Sequence, residues 1–323
     1  MHKTHWYTTL LLSLLLLFTG CVERSGTGNS NTTASTTSNV LFNSSVFNLK
    51  TVDDLQRFLT YNEQSYPLVS VHRGGGMEKY PENAIESFAY FAAKMPVIIE
   101  CDVRLSKDSV MLLMHDETLE RTTNGRGKIS HKTWQQLKAL KLKDAQGRLT
   151  NYTIPSLEEA LTWGNGKVIY TLDVKPDVPY KMLSDLIIRL NAQPYTVVIT
   201  YSAQQAKALH TVNPDLMLSV SIKNKKDMLR LIAMDIPDTK MLAFVGTAVP
   251  TPDLVESLHQ HGIKIILGTL GNLDNQAEKY GYQRYAEFIE RGADILSTDH
   301  PLQAQKALDF YIQKRKLTSP YIN

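Results

Sequence analysis

The sequence predicts an α/β chain folded as a single-domain (β/α)8 TIM barrel, on three observations. Short apolar runs of strand type alternate with helical patterns, the alternation passes through eight strand–helix pairs in roughly 280 residues, and no second linker interrupts it. Periodicity alone does not prove closure, so an open doubly wound sheet is the competing architecture.

The first strand is read over residues 68–72, rich in Val and ended by glycines, and residues 83–94 then carry apolar side chains at helical spacing. A second strand follows at 97–103. The short apolar run 111–114 is either a hairpin partner of that strand or a bend continuing it. Helical patterns occupy 132–140 and 156–163, the latter opening on Ser156 and Glu159 as a capping box that satisfies otherwise unpaired N–H groups. Six more strands are read at 168–174, 196–200, 217–220, 241–245, 263–267 and 294–297. Helices begin near Pro179, Ala203, Lys225, Pro252 and Gln283, with a last one over 303–314. Thr251 before Pro252 is a good helix start, because Thr caps and Pro at the first helical position loses no needed hydrogen bond. The sequence contains no visible internal repeat and no glycine-rich nucleotide signature after a strand.

The chain has 323 residues, 43% hydrophobic and 21% charged, enough for a sizeable core. Its 35 Lys and Arg against 32 Asp and Glu are scattered, with no basic arm or stripe, which argues against a nucleic-acid partner. Residues 1–20 read as a secretory signal: Lys3, an apolar run from Leu10 to Phe18, then Thr19 and Gly20 before Cys21. That run is shorter than the ~20 residues of a membrane span. Phe18-Thr19-Gly20-Cys21 resembles the lipobox of bacterial lipoproteins, in which the Cys becomes the lipidated first residue, although Phe18 stands where Leu is usual. An ordinary cleaved signal with an incidental Cys is the alternative. Removing residues 1–20 takes away only Lys3, leaving 34 basic against 32 acidic residues. The only cysteines are Cys21 and Cys101, so a lipidated Cys21 leaves no intramolecular disulfide. Residues 21–45, dominated by Ser, Thr, Asn and Gly, read as a flexible tether, and residues 46–323 as the barrel. The expected location is the bacterial cell envelope, with the membrane contacted through the Cys21 anchor.

In a barrel of this kind, catalytic groups sit at the carboxyl ends of strands. The first strand ends in His72-Arg73-Gly74-Gly75-Gly76, the second holds Glu100 and Asp102, the short run after it ends in His115-Asp116, and the third contains Asp173 and Lys175. Glu100 and Asp102 are two apart on a strand, so their carboxylates share a side and reach one cation about 2.0–2.5 Å away. Oxygen ligands select a hard ion, Mg²⁺ or Ca²⁺ rather than Zn²⁺, since no Cys cluster or close His pair is present. The plainer alternative is a carboxylate pair satisfied by Arg104 or Lys107. His72 and His115 lie on neighbouring elements, and a His pair in differing environments serves as acid and base near neutral pH, with Asp116 or another carboxylate keeping one of them charged. His131, His210, His259 and His261 are assigned structural roles. Arg73 offers a planar fork matched to phosphate oxygens and Lys175 a compact cation, both needed if an anionic phosphodiester is to approach a site of about −1 net charge.

His72-Arg73-Gly74, Pro81-Glu82-Asn83 with Phe88, Glu100-Cys101-Asp102-Val103, and His115-Asp116 with Leu119, Arg121-Thr122-Thr123-Asn124-Gly125 and Gly127 strongly resemble the glycerophosphodiester phosphodiesterase family. Ile154-Pro155-Ser156-Leu157-Glu158-Glu159-Ala160, Leu172-Asp173-Val174-Lys175, Gly292-Ala293-Asp294-Ile295 and Thr298-Asp299-His300-Pro301 are also similar, so the resemblance spans residues 66–315. It implies a barrel in which His72 and His115 are the acid and base, Glu100, Asp102 and Asp173 bind one divalent cation, Arg73 and Lys175 grip the phosphate, and Glu82 and Asn83 support the site. The implied reaction releases an sn-glycerol phosphate and an alcohol, either by direct attack of water or through a cyclic phosphate formed by the glycerol 2-hydroxyl. This chain departs from the family pattern with Asp173 for the usual Glu, Ala84 for Thr and Ser109 for Gly. Leu267-Gly268-Thr269-Leu270-Gly271-Asn272 stands where a Trp-containing motif normally ends the seventh strand. Two alternatives are retained: a phosphodiesterase or cyclising lyase acting on intact lipids or inositol phosphodiesters, and a surface lipoprotein that binds phosphodiesters or glycans without turnover.

Overall fold

The computed structural model describes residues 46–323; the signal, the Cys21 anchor and the tether expected over 1–45 lie outside the described residues. Eight strands pair in parallel around a closed ring: β1 (Leu68–Val71), β2 (Val97–Leu105), β6 (Ile169–Val174), β7 (Thr196–Thr200), β8 (Met217–Ser221), β9 (Met241–Phe244), β10 (Ile265–Gly268) and β11 (Ile295–Thr298). β1 bonds to both β2 and β11, which closes the sheet and removes the open doubly wound alternative. The run after β2 is a hairpin partner: β3 (Met111–Leu113) lies antiparallel to it, with Val103 opposite Leu113. Its turn places Ser109 at φ 63, a left-handed conformation that accounts for glycine being the expected residue there.

The helices follow the strands: α2 (Ile85–Ala92), α3 (Trp134–Leu137), α4 (Leu157–Gly164), α5 (Tyr180–Arg189), α6 (Ala203–Val212), α7 (Lys225–Ile232), α8 (Pro252–Gln260), α9 (Asn272–Tyr280), α10 (Arg284–Glu290) and α11 (Pro301–Arg315). Each capping residue read from the sequence does its work: Ser156 Oγ accepts from Glu159 N–H, and Thr251 from Leu254 N–H. Four elements are additional to the sequence reading. α1 (Val52–Leu59) precedes the barrel, β4 (Lys141–Lys143) and β5 (Leu149–Thr153) form a separate hairpin, and α9 precedes the helix expected near Gln283.

Strand alternation divides the core. Val69, Val97, Ile99, Cys101, Leu172, Val198 and Leu218 point outward and pack with the helices. Leu68, Ile98, Ile169, Val197, Met217, Leu242, Ile266 and Ile295 point inward at the amino ends of the strands, where Leu55, Phe58 and Leu59 of α1 meet them. α1 therefore plugs the floor of the barrel. With the floor filled by apolar side chains, the inward positions nearer the carboxyl ends are free to carry chemistry.

Candidate active site

On β2, Ile98 belongs to the floor, so Glu100 and Asp102 continue the same inward row toward the mouth. β6 runs in register beside it, with Asp102 opposite Asp173. One carboxylate oxygen from each of Glu100, Asp102 and Asp173 lies within 4.8 Å of the others. Lys175 closes the group from above, its Nζ 2.7 Å from Asp102 Oδ1 and 2.6 Å from Asp173 Oδ2. Arg104 and Lys107 do not satisfy the Glu100–Asp102 pair: Arg104 bonds the His115 carbonyl and faces Asp177, while Lys175 reaches Asp102 and the Arg73 N–H reaches Glu100.

The loop after β1 wraps the same cluster. Arg73 adopts φ 52 and Gly74 φ 64, and a Cβ on Gly74 would overlap the Phe88 ring, so the tight turn depends on glycine. That turn aims the Arg73 N–H at Glu100 Oε2, 2.7 Å away. Asn83, also left-handed at φ 56, donates from Nδ2 to Asp102 Oδ2 at 2.8 Å and accepts the Asp102 N–H at 2.9 Å. Asn83 thus fixes both the backbone and the carboxylate of Asp102.

Burial and the neighbouring Asp102 charge push the Glu100 carboxyl up to about 8. Burial works in the same direction on Asp102, but the Lys175 ammonium and the Asn83 amide outweigh it and hold that carboxyl below its usual range. The cluster carries more negative charge than Lys175 balances. Asp173 Oδ1 is buried and has no hydrogen-bond partner among the described residues. A bare carboxylate oxygen beside two more makes a group that could hold a divalent cation.

His72 and His115 line one cavity of about 270 Å³ together with Glu100, Asp102 and Asp173. Each imidazole is held by a carboxylate through Nδ1: His72 by Asp299 Oδ1 and His115 by Asp116 Oδ1, both at 2.8 Å. Burial opposes a charge on His72, yet the Asp299 bond and the Glu100 charge prevail and raise its pKa. Arg121 grips Asp116 with Nε at 2.6 Å and Nη2 at 2.9 Å, which holds the Asp116 carboxyl far below its usual range. The same guanidinium makes two 2.8 Å bonds to Glu82, which lies 3.4 Å from Arg73 Nη1. Arg73, His72, Glu82, Arg121 and Asp299 line a second hollow of about 440 Å³ on the other side of His72. A larger cleft of about 580 Å³ at the amino ends of the strands contains no comparable cluster, so size does not mark the site.

The structure brings His72, Arg73, Glu82, Asn83, Glu100, Asp102, His115, Asp116, Asp173 and Lys175 into this region, while Cys21 lies outside the described residues. Three further residues of the region had no role assigned from the sequence: Asp299, Arg121 and Tyr201, the last standing at the rim of the His72–His115 cavity. Asp299 was legible in principle, because a His at one strand end calls for a carboxylate at an adjacent one. The rest of the cavity wall combines the hydroxyl residues Ser70, Thr171, Thr200, Ser219, Ser221 and Ser297 with Ile199, Phe244, Ile266 and Leu270. His259 and His261, taken as structural, bond Asp294 and Asp238 at 2.9 and 2.8 Å.

Residues 72–303 match the Glycerophosphoryl diester phosphodiesterase family. The chain belongs to that family. As a glycerophosphoryl diester phosphodiesterase family member it is a phosphoric diester hydrolase, and the resemblance drawn from its motifs is borne out. A glycerophosphodiester phosphodiesterase of Bacillus subtilis (strain 168) is 26% identical over 218 residues, covering 62% of this chain and 72% of its own. The crystal structure of a family enzyme from Parabacteroides distasonis ATCC 8503 superposes with TM-score 0.77 at 35% identity, covering 82% of this chain and 94% of that one. An Oleispira antarctica phosphodiesterase, solved in complex with the product sn-glycerol-3-phosphate, shares the fold with TM-score 0.58 at 20% identity, over 76% of this chain and 97% of its own.

Proposed function

We propose that this enzyme hydrolyses small glycerophosphodiesters to an sn-glycerol phosphate and an alcohol, using one divalent cation and the two histidines. The observation that carries the reading is the pair of carboxylate-held imidazoles lining the same cavity as the three-carboxylate cluster. Bonding through Nδ1 leaves Nε2 of each ring available to the cavity. One Nε2 takes the proton of the attacking oxygen, and the other gives a proton to the departing alcohol oxygen as the P–O bond breaks. Water supplies the new P–O bond, directly or after the glycerol 2-hydroxyl has first closed a cyclic phosphate, and the net balance is the same.

Glu100, Asp102 and Asp173 would hold the cation, which when bound offsets phosphate charge and polarises a phosphoryl oxygen. Arg73 carries a buried Nε with no partner among the described residues, a donor ready for a phosphate oxygen. Lys175, engaged by Asp102 and Asp173, adds positive charge from within the cluster. A cavity of about 270 Å³ suits a deacylated substrate better than an intact diacyl lipid. The sn-glycerol-3-phosphate in the Oleispira enzyme's structure supports the same product class. Anchoring in a bacterial envelope through Cys21 belongs to the same proposal and rests on the lipobox-like Phe18-Thr19-Gly20-Cys21.

Hydrolysis of glycerophosphocholine or glycerophosphoethanolamine tests it. Activity is expected to require a divalent cation, to vanish with chelator, and to fall by about 10²–10⁴-fold in His72→Ala and in His115→Ala. Turnover that survives chelation, or both substitutions, overturns the reading.

A further inference from the structure

We infer that Asp274, which touches neither cavity, is a positioning residue for proton transfer: it holds the end of β11 so that Asp299 orients His72. Asp274 lies in the first turn of α9, is 2% exposed, and accepts three hydrogen bonds. Its Oδ1 receives the Tyr285 and Thr298 hydroxyls, both at 2.8 Å, and its Oδ2 receives the backbone N–H of Asp299 at 3.0 Å. Asp299 in turn meets His72 Nδ1 through its own carboxylate. The path from a buried carboxylate to the reactive imidazole therefore has two hydrogen bonds and one residue between.

Two features separate this from ordinary core packing. No cation pairs with Asp274 among the described ion pairs, and a buried carboxylate without one is costly unless its hydrogen bonds are filled. Only a carboxylate accepts all three donors on two oxygens; Asn or Ser at the helix start would cap it without doing so. The segment before it points the same way. Thr269 donates from both N–H and Oγ1 to the Ser297 carbonyl, at 2.7 and 3.1 Å, and Asp274 N–H returns to the Thr269 carbonyl at 2.7 Å. Gly271, at φ 74, permits the turn between them. The β10–α9 turn thus binds Ser297, Thr298 and Asp299 in succession, in the stretch where the chain departs from the family's Trp-containing motif.

Asp299 needs such support. Its side chain is 53% exposed and sits on a loop, so one bond to His72 does not by itself fix its direction. With the backbone N–H tied to Asp274, the carboxylate is presented to Nδ1 and the opposite ring nitrogen to the cavity.

This inference rests on His72 acting in the reaction, so His72→Ala is assayed in parallel. Asp274→Asn keeps an acceptor for the two hydroxyls but turns an amide donor toward the Asp299 N–H, breaking that bond selectively. It is expected to lower kcat by about 100-fold with KM little changed. In an Asp299→Ala background the same substitution is expected to add no further loss, because its effect passes through Asp299. Thr298→Val removes one of the two hydroxyls that hold Asp274 Oδ1, together with the acceptor of the His300 N–H, and leaves the Asp299 N–H bond in place; it is expected to show a smaller loss with the same non-additivity, and serves if Asp274→Asn does not fold. Equal losses in both backgrounds, or no loss in kcat, overturn the inference while leaving the hydrolase reading intact. Full activity in His72→Ala overturns the acid–base reading on which it depends.

Discussion

At the residue scale, the site is built less from its reactive groups than from the residues that aim them. Asn83 illustrates this: it is 2% exposed, left-handed, and spends its whole amide on Asp102. Replacing it with Ala leaves Asp102 Oδ2 and the Asp102 N–H both unpaired in a buried place, and frees the carboxylate to turn toward Lys175. Partners of metal ligands typically matter by 10–100-fold in metal affinity. Asn83→Ala is therefore expected to weaken the divalent cation by about that factor, read as a rightward shift in the metal concentration for half-maximal activity and by calorimetric titration. An unchanged metal requirement would separate Asn83 from the carboxylate cluster. The residues that carry charge were visible in the sequence because Glu100 and Asp102 share a strand face and His72 and His115 end neighbouring elements. Asp299 was quoted in a motif yet had no assigned role, since its partnership with His72 spans 227 residues of chain and exists only once β1 and β11 are adjacent.

At the scale of elements, the strands were legible because each is a short apolar run of β-branched and large aliphatic residues, and closure followed from β1 pairing on both edges. The missed elements had weaker signals. β5, Leu-Thr-Asn-Tyr-Thr, is too polar to stand out, and α9 is dominated by polar residues, with Leu273 and Ala277 its buried apolar members. α1 had a full signature, a Thr51–Asp54 capping box and buried Leu55, Phe58 and Leu59, but preceded the alternation that drew attention. The turn after β1 makes a prediction of its own. Gly74 lies under the Phe88 ring at φ 64, so Gly74→Ala must displace a fully buried aromatic and strain the backbone together. Overpacking of this kind costs about 1–3 kcal/mol. The expected result is a lower urea midpoint by a comparable free energy, accompanied by a loss of activity larger than that of a distant substitution of equal cost, because the same turn delivers the Arg73 N–H to Glu100. Normal stability with normal activity would show that the turn tolerates a side chain.

At the scale of the whole molecule, the barrel separates its two ends: chemistry gathers at the carboxyl ends of the strands, while the floor is sealed by α1. One polar group is built into that seal. Lys264 is 1% exposed, donates to the Phe58 carbonyl at 2.9 Å, and lies 5.3 Å from the centre of the Phe58 ring. Burial pushes its ammonium down to about 8 against the opposing pull of Asp294, from an ordinary value of 10.5. The depressed pKa means that the folded state prefers the neutral amine, so below pH 8 the protonated lysine costs stability. That cost is about 3 kcal/mol, from 1.36 kcal/mol per pKa unit. Between about pH 8 and 10.5 the unfolded chain binds a proton that the native one does not, and this lysine's contribution makes stability rise with pH. Lys264→Met removes the group from both states. The stability difference between the variant and the parent, from urea unfolding at pH 7, 9 and 10.5, should move in the parent's favour by about 3 kcal/mol across that range. Tyrosines that titrate at high pH are common to both proteins and cancel in the difference. Because the floor lies away from the His72–His115 cavity, kcat at pH 7 should be unaffected. A difference that stays constant with pH would mean that Lys264 remains charged in the folded barrel, and that the Phe58 carbonyl and ring hold it as an ammonium.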